Sequence, residues 1–210
     1  MLFRSAEARR LRGITGPVST ILTVQPGYET AIETALGFAL QNIVVEDETA
    51  AKAAMAYLKE TKGGRATFLP LDTVRPASFD ARSLPQEAVC ASSLVQAEAR
   101  YANIVSNLLG RIVVVDDINT ASRVARALGY RNRVVTRDGQ VINAGGSFTG
   151  GSVSRSAGLF SRRQELEELR KKLAGLEQQR ADAAKRTQAD RKSTRLNSSH
   201  RSLSRMPSSA

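Results

Sequence analysis

One cysteine and one histidine are all that this chain of 210 residues offers for disulfide, zinc or histidine-based chemistry. Cys90 alone closes no internal disulfide, and His200 alone supplies neither a zinc ligand set nor a catalytic triad. Without a histidine to activate it, the Cys90 thiol is also a poor candidate nucleophile. No stretch approaches the roughly 18 consecutive apolar residues of a membrane span, and the first residues lack the apolar core of a secretory signal. The expectation is a cytoplasmic chain with no membrane partner. What is present, 41% apolar and 24% charged residues, reads as one or two soluble globular domains.

The formal charge of +11 suggests a nucleic-acid partner until it is divided along the chain. Residues 1–12 carry four arginines against Glu7, 161–189 carry eight basic against five acidic residues, and 190–210 carry five against Asp190. Residues 13–160 are left nearly balanced, with fourteen basic and thirteen acidic. Inside that span lies a polarity: six basic against ten acidic residues over 13–98, and eight against three over 99–160.

The two ends stand apart from the rest. Residues 190–210 are rich in Ser and Arg with no apolar period, which by itself describes a disordered basic tail. The run Asp190 to His200 also reads as a sequencing adaptor translated in frame, and residues 1–5 as its counterpart from the other end, so both are set aside as adaptor-derived. Residues 6–189 are then expected to be an internal piece of a longer protein.

Along the remainder, Val18 to Val24 is a β-branched run that predicts a strand. Pro26 and the spacing of Ala31, Ile32, Ala35, Leu36, Ala39 and Leu40 predict a helix. Ile43 to Val45 predicts a buried strand, Glu46-Asp47-Glu48 a helix start, Ala50 to Lys59 a helix ended by Gly63-Gly64, and Ala66 to Leu69 a further strand. Residues 70–98, with Pro70, Pro76 and Pro85, predict an irregular connection. The plan then recurs: a helix over Tyr101 to Leu109, a strand over Ile112 to Val115, and a helix to Leu128 capped by Asp116, Asp117 or Asn119. A hairpin follows, formed by Arg133 to Thr136 and Gln140 to Ile142 about Asp138-Gly139. Two similar halves, each strand-helix-strand, point to a mixed α/β fold with an internal duplication. Beyond them, Leu159, Leu166, Leu169, Leu173 and Leu176 share the a and d positions of one heptad frame on a helix opened by Ser161 to Gln164.

Candidate sites are few. In Gly145-Gly146-Ser147-Phe148-Thr149-Gly150-Gly151-Ser152 the spacing approaches a phosphate loop, but Gly151 stands where lysine would reach the β- and γ-phosphates, which argues against a nucleotide. Paired glycines equally suit backbones that approach closely, as at a subunit contact. Asp116-Asp117 at a strand end could bind a metal or move protons, yet helix capping accounts for the pair more simply. Arg131, Arg133 and Arg137 near the hairpin could meet phosphate or merely protect an edge strand.

Taken together, Tyr28 to Gly37, Leu40-Gln41-Asn42-Ile43-Val44-Val45, Gly64-Arg65-Ala66-Thr67-Phe68-Leu69-Pro70-Leu71, and Val134-Val135-Thr136 with Asp138-Gly139, Gly145-Gly146 and Gly150-Gly151 resemble the hinge domain of the structural maintenance of chromosomes (SMC) family in its bacterial form. The resemblance spans about 13–153 in unbroken order. It implies a hinge over 13–155, the end of an N-terminal coiled-coil arm over 6–12 and the start of the returning arm over 156–189. It implies no catalytic residue, metal or cofactor in this chain; ATP and magnesium would belong to head domains of the parent, as would kleisin-type partners. The implied activity is homodimerisation, with Gly139, Gly145, Gly146, Gly150 and Gly151 at the contact. Weak DNA contact independent of sequence is also implied, for which Arg131, Arg133, Arg155, Arg162 and Arg163 are the candidates near the arm junction, in a protein associated with the nucleoid. The competing reading is a stand-alone α/β nucleotide-binding domain or enzyme.

Overall fold

A computed structural model describes residues 12–77, 84–151 and 158–183, the last stretch without 161, 163, 164, 167 and 182. The chain forms two compact units, Met1–Arg162 and Arg163–Ala210.

The first unit contains two βαβ halves. In the first, β1 (Ile14–Pro17) leads through the short helix α1 (Val18–Ile21), β2 (Thr23–Val24) and α2 (Glu29–Leu36) to β3 (Ile43–Val45), α3 (Glu48–Glu60) and β4 (Phe68–Pro70). In the second, β5 (Val89–Cys90), β6 (Val95–Gln96) and α4 (Ala102–Leu109) precede β7 (Ile112–Val115), α5 (Ile118–Ala127), β8 (Arg133–Thr136), β9 (Val141–Ile142) and β10 (Phe148–Thr149). The sheets run β1-β3-β4, β10-β9-β8-β7-β5 and β2-β6. The duplicated plan is explicit in the pairing, because β3 and β4 are parallel across α3 as β7 and β8 are across α5. A parallel pair requires such a crossover.

The acidic residues after β3 and β7 cap the helices that follow. Asp47 accepts the Ala50 N–H at 2.7 Å. Asp117, rather than Asp116 or Asn119, caps α5: its Oδ1 accepts from the N–H groups of Asn119 and Thr120 at 2.8 and 3.0 Å, and its Oδ2 from the Thr120 hydroxyl at 2.9 Å. Those bonds, from the Thr120 N–H above all, hold the Asp117 carboxyl below its usual range.

Successive valines of β7 serve opposite faces, as the two-residue period of a strand requires. Val113 and Val115 pack with Val124 of α5, while Val114 packs with Ile32 of α2 and Ile104 of α4. A sheet covered on both sides explains the unbroken apolar run Ile112 to Val115. Ile32, Leu36, Val44, Val114 and Val135 belong to one cluster, so the two halves share a core.

Three expectations change. The strand foreseen over Val18 to Val24 is instead a helical turn followed by the two-residue β2, while the pairing strand lies earlier, at β1. Pro17, which lacks an N–H and takes φ −70°, suits the position before a first helical turn, and the Val18 N–H donates to Asn42 instead. The helix foreseen from Pro26 to Leu40 begins at Glu29 and ends where Gly37 turns to φ 51°, with Gly37–Gln41 continuing as a 3-10 helix. The connection over 70–98 contains β5 and β6, and β6 ties back to β2.

Arg133 of β8 and Arg137, in the turn just after it, meet the two ends of α2. The Arg133 guanidinium donates to the carbonyls of Ala35 and Thr34 at 3.1 and 3.3 Å, at the end of the helix. The Arg137 guanidinium lies 4.8 Å from the Tyr28 ring centre, at the start. α2 also receives the chain as it leaves the domain: Phe160 is buried in the shared core, and its N–H donates to the Glu33 carboxylate.

In the second unit, residues 168–181 are helical. Leu166, Leu169, Leu173 and Leu176 are each more than half exposed, so among the described residues the leucine seam is uncovered.

Candidate dimer interface

The site grows from the hairpin that follows α5. Gly139 takes φ 91° in the Asp138-Gly139 turn and donates its N–H to Thr136 at 3.0 Å. The Thr136 hydroxyl oxygen accepts the Gln140 N–H at 2.9 Å, and the hydroxyl bonds the Asp138 carboxylate. This bond is the main reason the Asp138 carboxyl lies below its ordinary range. The Gln140 amide closes the turn by donating to Asp138 at 2.8 Å.

From there β9 and β10 form a second, tighter hairpin. The Asn143 N–H donates to Ser147 at 2.8 Å and the Gly146 N–H to Asn143 at 2.9 Å, while the Asn143 side-chain amide reaches the Ser147 and Thr149 hydroxyls. Gly145 and Gly146 both take φ 89°, which a side chain would strain and glycine does not. β10 is the last strand of its five-stranded sheet. Its residues 148–149 are extended and paired with β9 rather than curled into a phosphate-binding loop.

Four of the five glycines singled out by their spacing therefore meet on one hairpin, with Gly145, Gly150 and Gly151 exposed and Gly146 half-buried. Gly139 does not join them: it is buried in its own turn, where its positive φ is used internally. Between the glycine pairs stands Phe148, 60% exposed, a residue that the motif reading passed over. Among the described residues Phe38 is the other phenylalanine left mostly exposed, and it lies outside the strands. An edge strand presents unpaired backbone groups to which another chain can pair, and Phe148 adds apolar surface beside them. The sequence signal available was its place between two glycine pairs in an otherwise polar run.

Of the five arginines proposed for DNA, three lie among the described residues. Arg131 and Arg162 are exposed. Arg133 is half-buried, its terminal nitrogens are engaged on Thr34 and Ala35, and its Nε is buried without a partner, so its job is internal. Arg155 and Arg163 lie outside the described residues. Among the described residues no group of three or more acidic, histidine or cysteine side chains could hold a metal ion, and no helix is long and apolar enough to cross a membrane.

Comparison with known proteins places these features in context. Residues 11–125 match the family described as SMC proteins flexible hinge domain. The chromosome partition protein Smc of Bacillus subtilis is 41% identical over 179 residues, covering 82% of this chain and 15% of that protein. The chain thus spans about 15% of the length of such relatives. Among solved structures, an asymmetric dimer of the Geobacillus stearothermophilus SMC hinge domain is 41% identical with a TM-score of 0.72, covering 82% of this chain and 72% of that one. A Pyrococcus furiosus Smc hinge domain with an extended coiled coil is 33% identical with a TM-score of 0.61, covering 84% and 62%.

Proposed function

This chain belongs to the SMC hinge family, and on that footing we propose that it is a homodimerisation module, joining two copies through the β9–β10 hairpin at the end of a pair of coiled-coil arms. The observation that carries the reading is the outer edge of β10, where Phe148 stands exposed between glycines whose missing side chains leave the backbone approachable. A symmetric pair uses the same patch twice, so one such edge on each copy suffices. The uncovered leucine seam of the second unit supports an arm that pairs with a returning helix.

The parent would be a longer chromosome partition ATPase, with ATP and magnesium handled by head domains and kleisin-type partners bound there. Weak DNA contact belongs to the same proposal and rests on Arg131 and Arg162, with Arg155 and Arg163. The competing nucleotide-binding reading draws no support from the extended β10.

Sedimentation equilibrium of the chain at micromolar concentration is the test. The expected result is a reversible dimer; a monomer over the whole concentration range would remove the proposal.

A further inference from the structure

Among the described residues only two besides glycine take the left-handed backbone conformation, Lys62 at φ 52° and Tyr130 at φ 53°. Lys62 lies in the exposed turn after α3. Tyr130 is different, because a bulky residue is disfavoured in this conformation and asparagine or glycine would take it more readily. It follows Gly129, itself at φ 62°, and its N–H closes the end of α5 by donating to Ala125 at 2.8 Å. A glycine there would close the helix with less strain.

The contacts of Tyr130 beyond α5 account for the bulky residue. Its carbonyl accepts the N–H of Gly145 at 2.9 Å. Its ring lies against Gly146, where a β-carbon built on the glycine would stand 3.5 Å from Cδ1 and 3.8 Å from Cε1. The ring also packs against the cluster that joins α5 to β7 and β8. One residue thus touches both glycines at the tip of the β9–β10 hairpin, one through its main chain and one through its ring, and ties them to the core. Strain that persists because it holds a neighbouring segment in shape is a common signature of a functional position.

We infer that Tyr130 is the positioning residue of the dimer edge: it holds residues 143–147 in a single path, so that β10 is presented to the second copy already ordered. The inference rests on the reading of this hairpin as the dimer contact. An edge that must be ordered at the moment of association binds more weakly than one ordered beforehand.

The test compares the 210-residue chain with Tyr130→Phe and Tyr130→Asn by sedimentation equilibrium, together with hydrogen exchange of the hairpin amides. Asparagine tolerates the left-handed backbone and keeps the carbonyl, so it removes the ring alone. Tyr130→Phe should dimerise within about twofold of the original. Tyr130→Asn should keep its helix content and the protection of β7 and α5, while exchange at Gly145 and Gly146 quickens and the dimer weakens by about tenfold or more. A dimer of unchanged affinity with unchanged exchange at the hairpin would overturn the role of Tyr130. A monomeric parent chain would instead overturn the dimer reading, and this inference with it. If Tyr130→Asn fails to fold, the unsubstituted dimer still decides: a Gly145 amide that exchanges as freely as an open loop would refute the contact on which the inference stands.

Discussion

Gly150 differs from its neighbours on the hairpin in one respect that matters for experiment. Gly145, Gly146 and Gly151 have φ of 89°, 89° and 143°, so any substitution there strains the isolated chain. Gly150 lies outside that region, and a β-carbon on it would meet the Gln140 side chain at 3.5 Å, an ordinary contact. Gly150→Glu should therefore fold with unchanged circular dichroism and yet sediment as a monomer, because a carboxylate driven into the contact without a partner costs about 3 kcal/mol or more. A variant that still dimerises as tightly would place the contact elsewhere. The glycine spacing was legible in the sequence because glycine is informative wherever it is paired. The separate role of Gly139 was not, since an Asp-Gly turn and a contact glycine look alike until burial distinguishes them. The demand made on Tyr130 was equally hidden, because φ is not written in a residue's identity.

α2 shows how an element acquires a job that its own residues do not announce. Its apolar face was readable from Ala31, Ile32, Ala35 and Leu36, all buried, but its position across β8 depends on Arg133 and Arg137, about a hundred residues away. Arg133→Met keeps the apolar stem and removes the bonds to Thr34 and Ala35. The expected loss is on the order of 2 kcal/mol, read as a lower midpoint in urea with an unchanged slope. A midpoint equal to the parent's would mean that the guanidinium adds nothing to the packing. The same distance explains which elements could be foreseen. β3, β7, α3 and α5 carry their signals locally, as β-branched runs and as Asp47 and Asp117 at helix starts. β2 and β6 have two residues each and exist through the pairing of Thr23 with Gln96 and Val24 with Val95, far apart in the chain, for which a local pattern holds no sign. Val18 to Val24 misleads for the complementary reason: β-branched residues favour strands on average, and here Pro17 opens a helical turn among them.

For the whole molecule, charge position outweighs charge total. A chain trimmed of residues 190–210 loses five basic residues and Asp190, and any binding that survives must come from the folded part. The trimmed dimer should bind DNA weakly at low salt, without sequence preference, and release it as salt rises, since counterion release supplies the affinity. Reversing Arg131, Arg155, Arg162 and Arg163 together should lessen both the affinity and the salt slope. Arg133 is left out of that set because its charge is spent on α2. Unchanged titrations for the reversed variant would exclude this surface. The seat of Phe160 has a mechanical meaning as well. Tension on the polypeptide beyond residue 160 falls first on an aromatic ring sunk in the shared core and on the bond from its N–H to Glu33. Pulling such a ring into water costs roughly 2 to 3 kcal/mol. α2, braced at one end by Arg133 and at the other by Arg137, would share that load with Val135 and Val141 of the same cluster, so that a pull there is met by the core both halves share.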